Sequence, residues 1–387
     1  MAAPAQVLAQ SHNVARSNTG SLSRVLVVDA LRGLALLAMA LDHAAFFIGT
    51  GLQAESYGGA AVNLQSFPYW FSGLITNLAA PIFWLLSGVS LALYEAGRRR
   101  RGDDESAISR FMLIRAAVIL VLDLTVCAIA WRGDYPYVHV LTTMAITMAI
   151  LALLRYLPTG AILAIGLGTL LGYQGWLMLV GPTMAEATTL GPAIWLGFSY
   201  VTVPAIGFSV LGWGPLMVLG FVIGRKRNNG ARPNPQLLLH AGLALLGFAL
   251  CLRLIGGYGD FGPFGQIGDS AAHWLIMSKA PPSLSFFAFN LGLAALIAAF
   301  ASLRPALLER APLNWLALVG QTSLGFYVAH LWVYHLVAAL VEPLNLPIIA
   351  LAKGYLVFAL GLLLLLPICL GYRRLRKAYP QSVLRYL

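Results

Sequence analysis

Apolar runs of about 20 residues follow one another along almost the whole chain, each closed by a short polar or basic stretch. A membrane-spanning helix needs about 20 mostly apolar residues, and ten segments have that character: roughly 24–49, 68–96, 107–131, 138–157, 159–180, 209–225, 235–256, 283–303, 317–341 and 346–371. The stretch 194–207 is apolar too, but it is shorter and holds Pro204; an eleventh span would break the alternation of loops, so it is expected to be a re-entrant or interfacial helix. The pattern predicts an all-α, polytopic integral membrane protein with about ten transmembrane helices. Its membrane domain covers residues 24–372, between a disordered tail (1–23) and a basic tail (373–387). The first 23 residues are rich in Ala, Ser and Asn and lack the apolar core of a cleavable signal peptide.

Charge then orients the pattern. Only 10% of the residues are charged and 59% are hydrophobic, whereas a soluble domain carries roughly 25% charged residues. The net charge of +11 does not point to nucleic acid, because the basic residues sit in short segments between apolar runs rather than on one face. With the N-terminus inside, 20 of the 25 Lys and Arg fall on cytoplasmic segments, notably 98–115, 225–232 and 372–385. Both termini are therefore expected in the cytoplasm of a bacterial inner-membrane protein. Cys127, Cys251 and Cys369 lie in apolar runs without CxxC or CxxH spacing, which indicates neither a disulfide framework nor a zinc site. The longest outer loop, 256–283, is rich in Gly and aromatic residues and holds His273. It reads equally as a binding loop and as a solvated connector anchored by Trp274.

Ionisable residues at bilayer depth cost about 2.5–3.5 kcal/mol each on the insertion scale and normally face a protein interior. The first span holds Asp29, Arg32, Asp42 and His43. At roughly 100° per residue, Asp29, Arg32 and His43 share one helix face and Asp42 points elsewhere. Asp29 and Arg32, three residues apart, also fit a local ion pair at the membrane boundary; His43 lies too deep to snorkel. Asn77, Asp123, His139, His330 and His335 are further polar intruders. Tyr327 and His330 share a face of the ninth span and are placed to line one cavity with His43, although a hydrogen-bonded packing role fits each of them equally. The histidines form no spaced ligand set with carboxylates, so no metal is expected. "APIFWLLSGVS" (80–90) joins a proline to small residues, the composition of a bent helix packed tightly on its neighbours.

"VVDALRGLALLAMALDHAAFF" (27–47) followed by "FSGLITNLAAPIFWLLSGVSLALY" (71–94), and later "MSKAPPSLSFFAFNLGLAAL" (277–296) and "LGFYVAHLWVYHLV" (324–337), resemble in the same order the bacterial branch of the heparan-alpha-glucosaminide N-acetyltransferase catalytic-domain family. The resemblance implies a transmembrane acyltransferase that takes an acyl group from cytoplasmic acyl-CoA and passes it to an amino sugar or other glycan on the opposite side. Carried over, Asp29, Arg32 and Gly33 match the D-x-x-R-G element, Asp42 and His43 the D-H pair, Lys279, Pro281, Pro282 and Ser283 the K-x-P-P-S element, and His330 the histidine after F-Y.

Three readings follow. In the first, His43 is general base or acyl carrier, with Asp42, His330 and Asp123 as further catalytic residues and Asp123 or Tyr327 as the expected partner of its imidazole. Arg32, Asp29 and Asn77 then hold acetyl-CoA or another acyl-CoA, with Arg32 on the phosphates, while Lys279, Ser283, Tyr327 and His139 receive the acceptor. In the second, Asp29, Arg32, His43 and Asp123 form the path of a proton-coupled transporter or flippase. In the third, the polar residues only lock helices together. The partners expected are membrane lipids, acyl-CoA and a glycan, with no nucleic acid, and a homodimer is left open.

Overall fold

The computed structural model of the chain describes residues 26–52, 54–57, 66–132, 137–180, 188–197, 199, 201–227, 234–260 and 271–386. The expected tail 1–23 and part of the 256–283 loop lie outside them. The architecture is a bundle of helices: α1 (Leu26–Phe47), α2 (Phe67–Thr76), α3 (Ala79–Arg99), α4 (Glu105–Leu122), α5 (Ala128–Arg132), α6 (Val140–Leu154), α7 (Thr159–Val180), α8 (Leu190–Trp195), α9 (Val210–Lys226), α10 (Pro235–Ile255), α11 (Ala271–Trp274), α12 (Leu284–Leu303), α13 (Asn314–Gln321), α14 (Ser323–Val341) and α15 (Ala350–Ala378). Two parallel strand pairs join distant parts of the chain. In one, β1 (Glu55–Tyr57) lies on β4 (Met277–Ala280); in the other, β2 (Tyr137–Val138) lies on β3 (Ala205–Ile206).

Among the described residues, eight helical stretches are long and apolar enough to cross a membrane, fewer than the ten expected. The segments 138–157 and 209–225 do form helices, but α6 has 15 residues and α9 has 17, short of the ~20 a full span needs. Each begins just after a strand of the β2–β3 pair, so the missing turns have been replaced by extended backbone. Such backbone is tolerated at membrane depth where it lines a cavity. The segment 194–207 is likewise not the helix its composition predicts. Helix α8 stops at Trp195, Ser199 and Ile206 exchange both backbone hydrogen bonds, and Val203–Pro204 is cis between them. The 80–90 proline does not bend α3 in mid-course. Pro81 has no N–H to return to the Asn77 carbonyl, and the break falls there, between α2 and α3.

Small residues set the closest crossings. A β-carbon on Gly88 would stand 1.9 Å from the Met217 carbonyl oxygen, and one on Gly220 would stand 2.0 Å from that of Leu85, so α3 and α9 meet backbone to backbone. Gly33 and Gly320 do the same for α1 and α13, each 1.9 Å from a carbonyl oxygen of the other helix, Leu316 and Asp29. Around Trp84 and Trp213, both buried, the side chains of α3, α4, α6, α9 and α12 form the largest core.

One end of the bundle is closed by charge. Glu95, 1% exposed, accepts from Arg155 Nε at 3.0 Å and from Arg225 at 2.7 and 2.8 Å, and Glu105 accepts from Arg99 at 2.6 and 3.0 Å and also from Arg155. This cluster ties the ends of α3 and α9 and the α6–α7 turn to the start of α4. The Tyr386 ring stacks 5.0 Å from Phe111 at the same end.

Candidate active site

Between α1, α3, α5 and the two strand pairs lies a cavity of about 440 Å³. It follows α1 from Ala35 to Phe46, roughly 16 Å at 1.5 Å per residue, and continues past the helix end to Thr50 and Leu52. Toward the charged end its wall is apolar, with Leu36, Met39, Ala80 and Phe83; at the other end it holds Asp42, Thr50, Glu55 and Lys279. His43, Trp131 and His139 stand between the two regions.

His43, 5% exposed, places Nδ1 2.7 Å from Nε2 of His330. His330 Nδ1 in turn meets the backbone carbonyl of Tyr327. A carbonyl only accepts, so His330 carries its proton on Nδ1 and its Nε2 is an acceptor. His43 must then donate from Nδ1, which leaves a bare lone pair on His43 Nε2. No second hydrogen bond engages that nitrogen among the described residues. Trp131 packs edge-on to the His43 ring, centroids 4.5 Å apart, and Phe326 stacks 5.8 Å from His330. Both imidazoles are held by their neighbours as well as by each other.

His139, just before α6, lines the same cavity and places Nδ1 3.0 Å from the Tyr327 hydroxyl. Lys279 Nζ donates to Glu55 Oε1 at 2.8 Å across the β1–β4 pair. The 256–283 loop therefore contributes β4 and a charged wall to the cavity, which is more than a connector does. Among the described residues, no group of three or more His, Cys, Asp or Glu is arranged to hold a metal ion.

The structure thus gathers His43, His330, His139, Tyr327 and Lys279 around or behind one cavity. Asp42 joins them, against the expectation from the helix wheel: a cavity this long and wide takes side chains from adjacent positions of α1. The partner of His43 is His330, not Asp123 or Tyr327. Asp123 opens a π-helical turn (Asp123–Cys127), and its Oδ2 accepts from the Thr142 backbone N–H at 2.8 Å, capping the start of α6. Arg32 is taken up by Asp29 at 3.2 Å, the Gly320 carbonyl at 3.3 Å and Ser90 Oγ. That is the local pairing their spacing allowed. Asn77 is buried in the α2–α3 junction and does not line the cavity. Ser283, fully buried, caps α12 through the Phe286 N–H at 3.1 Å. His335 packs against Phe47, ring centroids 5.3 Å apart, outside the cavity wall.

Glu55, Trp131 and Glu95 were not singled out by sequence. Glu55 falls in a stretch between two apolar runs that forms β1, and Trp131 at a helix end, where either is unremarkable in composition. For Glu95 a signal exists: it stands four residues before Arg99, a helical ion-pair spacing. No curated protein matches the chain. A family model described as an acyltransferase domain matches residues 25–374, and the chain therefore belongs to this acyltransferase family, as its resemblance to the heparan-alpha-glucosaminide N-acetyltransferase-like transmembrane enzymes implies.

Proposed function

We propose that the chain transfers an acyl group, acetyl in the first instance, from acyl-CoA on the cytoplasmic side of a bacterial inner membrane to an amino sugar or other glycan on the opposite side, with His43 as general base. The observation that carries this reading is the relay from His43 through His330 to the Tyr327 carbonyl, which leaves His43 Nε2 unprotonated beside the cavity. A general base needs that lone pair within reach of the proton it removes. His43 takes the proton of the acceptor N–H or O–H while the acceptor adds to the thioester carbonyl carbon. The C–S bond then breaks, and the imidazolium returns its proton to the departing thiolate. The apolar region near Ala80 and Phe83 suits the thioester and its acyl chain. Asp42 and the Glu55–Lys279 pair suit the hydroxyls or amine of a sugar. Attack by His43 Nε2 itself, making His43 an acyl carrier, uses the same nitrogen.

The test is release of free CoA thiol from acetyl-CoA by the purified full chain in detergent, with a panel of amino sugars and glycans. The wild type should release thiol only with an acceptor, and a folded His43→Ala variant should be slower by about 10²-fold or more. If neither releases thiol and acetyl-CoA leaves the melting temperature unmoved, acyl transfer is abandoned, and proton-coupled transport in vesicles becomes the reading to test.

A further inference from the structure

His139 faces His43 along the cavity wall, with ring centroids 6.0 Å apart and planes inclined at 68°, and the mechanism above gives it no part. Its Nδ1 lies 3.0 Å from the hydroxyl of Tyr327, which is itself wholly buried. A phenol O–H is a stronger acid than the N–H of a neutral imidazole, and an imidazole nitrogen is a stronger base than a phenol oxygen. The hydroxyl therefore donates to Nδ1, and the His139 proton resides on Nε2. The ring carbon bonded to Nε2, Cδ2, lies 3.4 Å from where a β-carbon on Gly207 would stand. Gly207 also lines the cavity. The Nε2 edge is thus turned away from Tyr327 toward the Gly207 side of the cavity, where the Tyr137 hydroxyl also stands, 2.4 Å from the same β-carbon position.

Tyr327 thereby sets two imidazoles in opposite senses. Its carbonyl fixes His330, which leaves His43 Nε2 bare, and its hydroxyl fixes His139, which leaves His139 Nε2 protonated. The geometry points to His139 as the hydrogen-bond donor to the thioester carbonyl oxygen, with Tyr327 as its positioning residue. This inference rests on the acyl-transfer reading and adds the second half of its chemistry. As the acceptor adds to the carbonyl carbon, its proton goes to His43 and negative charge gathers on the oxygen, where His139 Nε2–H stabilises it without giving up its proton. The oxygen's electron pair re-forms the C=O bond as the C–S bond breaks, and the charge leaves on the thiolate, which takes the proton held by His43. A donor of this kind, fixed before the charge develops, is among the larger single contributions to acyl transfer.

The experiment measures kcat and KM for thiol release from acetyl-CoA, with glucosamine as acceptor, for the full chain and for His139→Leu, His139→Gln and Tyr327→Phe. Leucine removes the donor, glutamine keeps an N–H near the place of Nε2, and phenylalanine keeps the ring of residue 327 but frees His139 Nδ1. His139→Leu is expected to lower kcat by about 10²–10³-fold, with KM for acetyl-CoA held within roughly threefold. His139→Gln should stay within about tenfold of wild type and Tyr327→Phe should fall between the two. A folded His139→Leu protein with wild-type kcat would overturn the inference, and so would His139→Gln as slow as His139→Leu. If His139→Leu does not fold, an unchanged kcat in Tyr327→Phe overturns it instead. A wild type with no acceptor-dependent release overturns the acyl-transfer reading itself, a result distinct from all of these.

Discussion

His330 does not itself line the cavity, yet it decides which nitrogen of His43 is bare. Its Nε2 is 2.7 Å from His43 Nδ1, and its own ring is stacked on Phe326 and edged by Tyr334, 6.1 Å away. Replacing it by alanine leaves His43 free to rotate and to place its proton on either nitrogen. His330→Ala is expected to lower kcat by roughly 10²-fold or more while KM changes little, the pattern of a group that acts only in the transition state. Steady-state thiol release checks this, with the melting temperature as control for folding. The polar residues that matter here were visible in sequence because an imidazole or a tyrosine hydroxyl stands out in an apolar run. Their pairing was not visible. Spacing within one helix gives an angle, but it says nothing of which other helix faces it, so Asp123 and Tyr327 were the expected partners of His43, and only the placement of α14 brings His330 to it instead.

Helix crossings explain several residues whose conspicuous motifs look functional. Gly33 belongs to the D-x-x-R-G element, but its missing side chain is what lets α1 touch the Leu316 carbonyl of α13. On α9, Gly220 and Gly224 are four residues apart and face Leu85 and Val89 of α3, the small-xxx-small arrangement that brings membrane helices close. A methyl group at 220 must push against backbone, so the two helices have to part. Gly220→Ala is therefore expected to destabilise by about 1–3 kcal/mol. Gly168→Ala, on an exposed face of α7 with nothing within 4 Å of the new β-carbon, is expected to be neutral or stabilising by up to roughly 1 kcal/mol. Thermal unfolding in detergent compares the two, and equal effects would show that α3 and α9 do not meet backbone to backbone at Gly220. Apolar length located all ten helical segments, because burying backbone in lipid demands that length. It placed the starts of α6 and α9 within two residues, but it could not show that the apolar chain just before each runs extended and pairs as β2 and β3 to wall the cavity.

The whole molecule has two unlike ends. At one, Glu95, Arg99, Glu105, Arg155 and Arg225 gather with Tyr386; at the other lie the Glu55–Lys279 pair and the Arg253–Asp260 pair, 2.9 Å apart. Because Arg155 joins Glu95 and Glu105, α6 brings the chain back to the end where α3 finished and α4 began, although it has only 15 residues. The reading from basic residues makes that end cytoplasmic, and the acyl-CoA donor must then reach the apolar part of the cavity from there. Single cysteines decide the matter. Cys127 and Cys369 are buried and Cys251 is exposed on α10, so a Cys251→Ser chain gives a quiet background. Ser66→Cys, just before α2, is expected to react with a membrane-impermeant maleimide in intact cells. Gly160→Cys, near the start of α7, and Gln381→Cys, beyond α15, should react only after the membrane is opened. Labelling of Ser66 and Gln381 with the reverse preference would invert the protein and place the donor on the wrong side. Labelling of Gly160 from outside while Gln381 stays protected would mean that α6 does not carry the chain across, and that the charge cluster holding Arg155 to Glu95 is not the cytoplasmic clasp of the bundle.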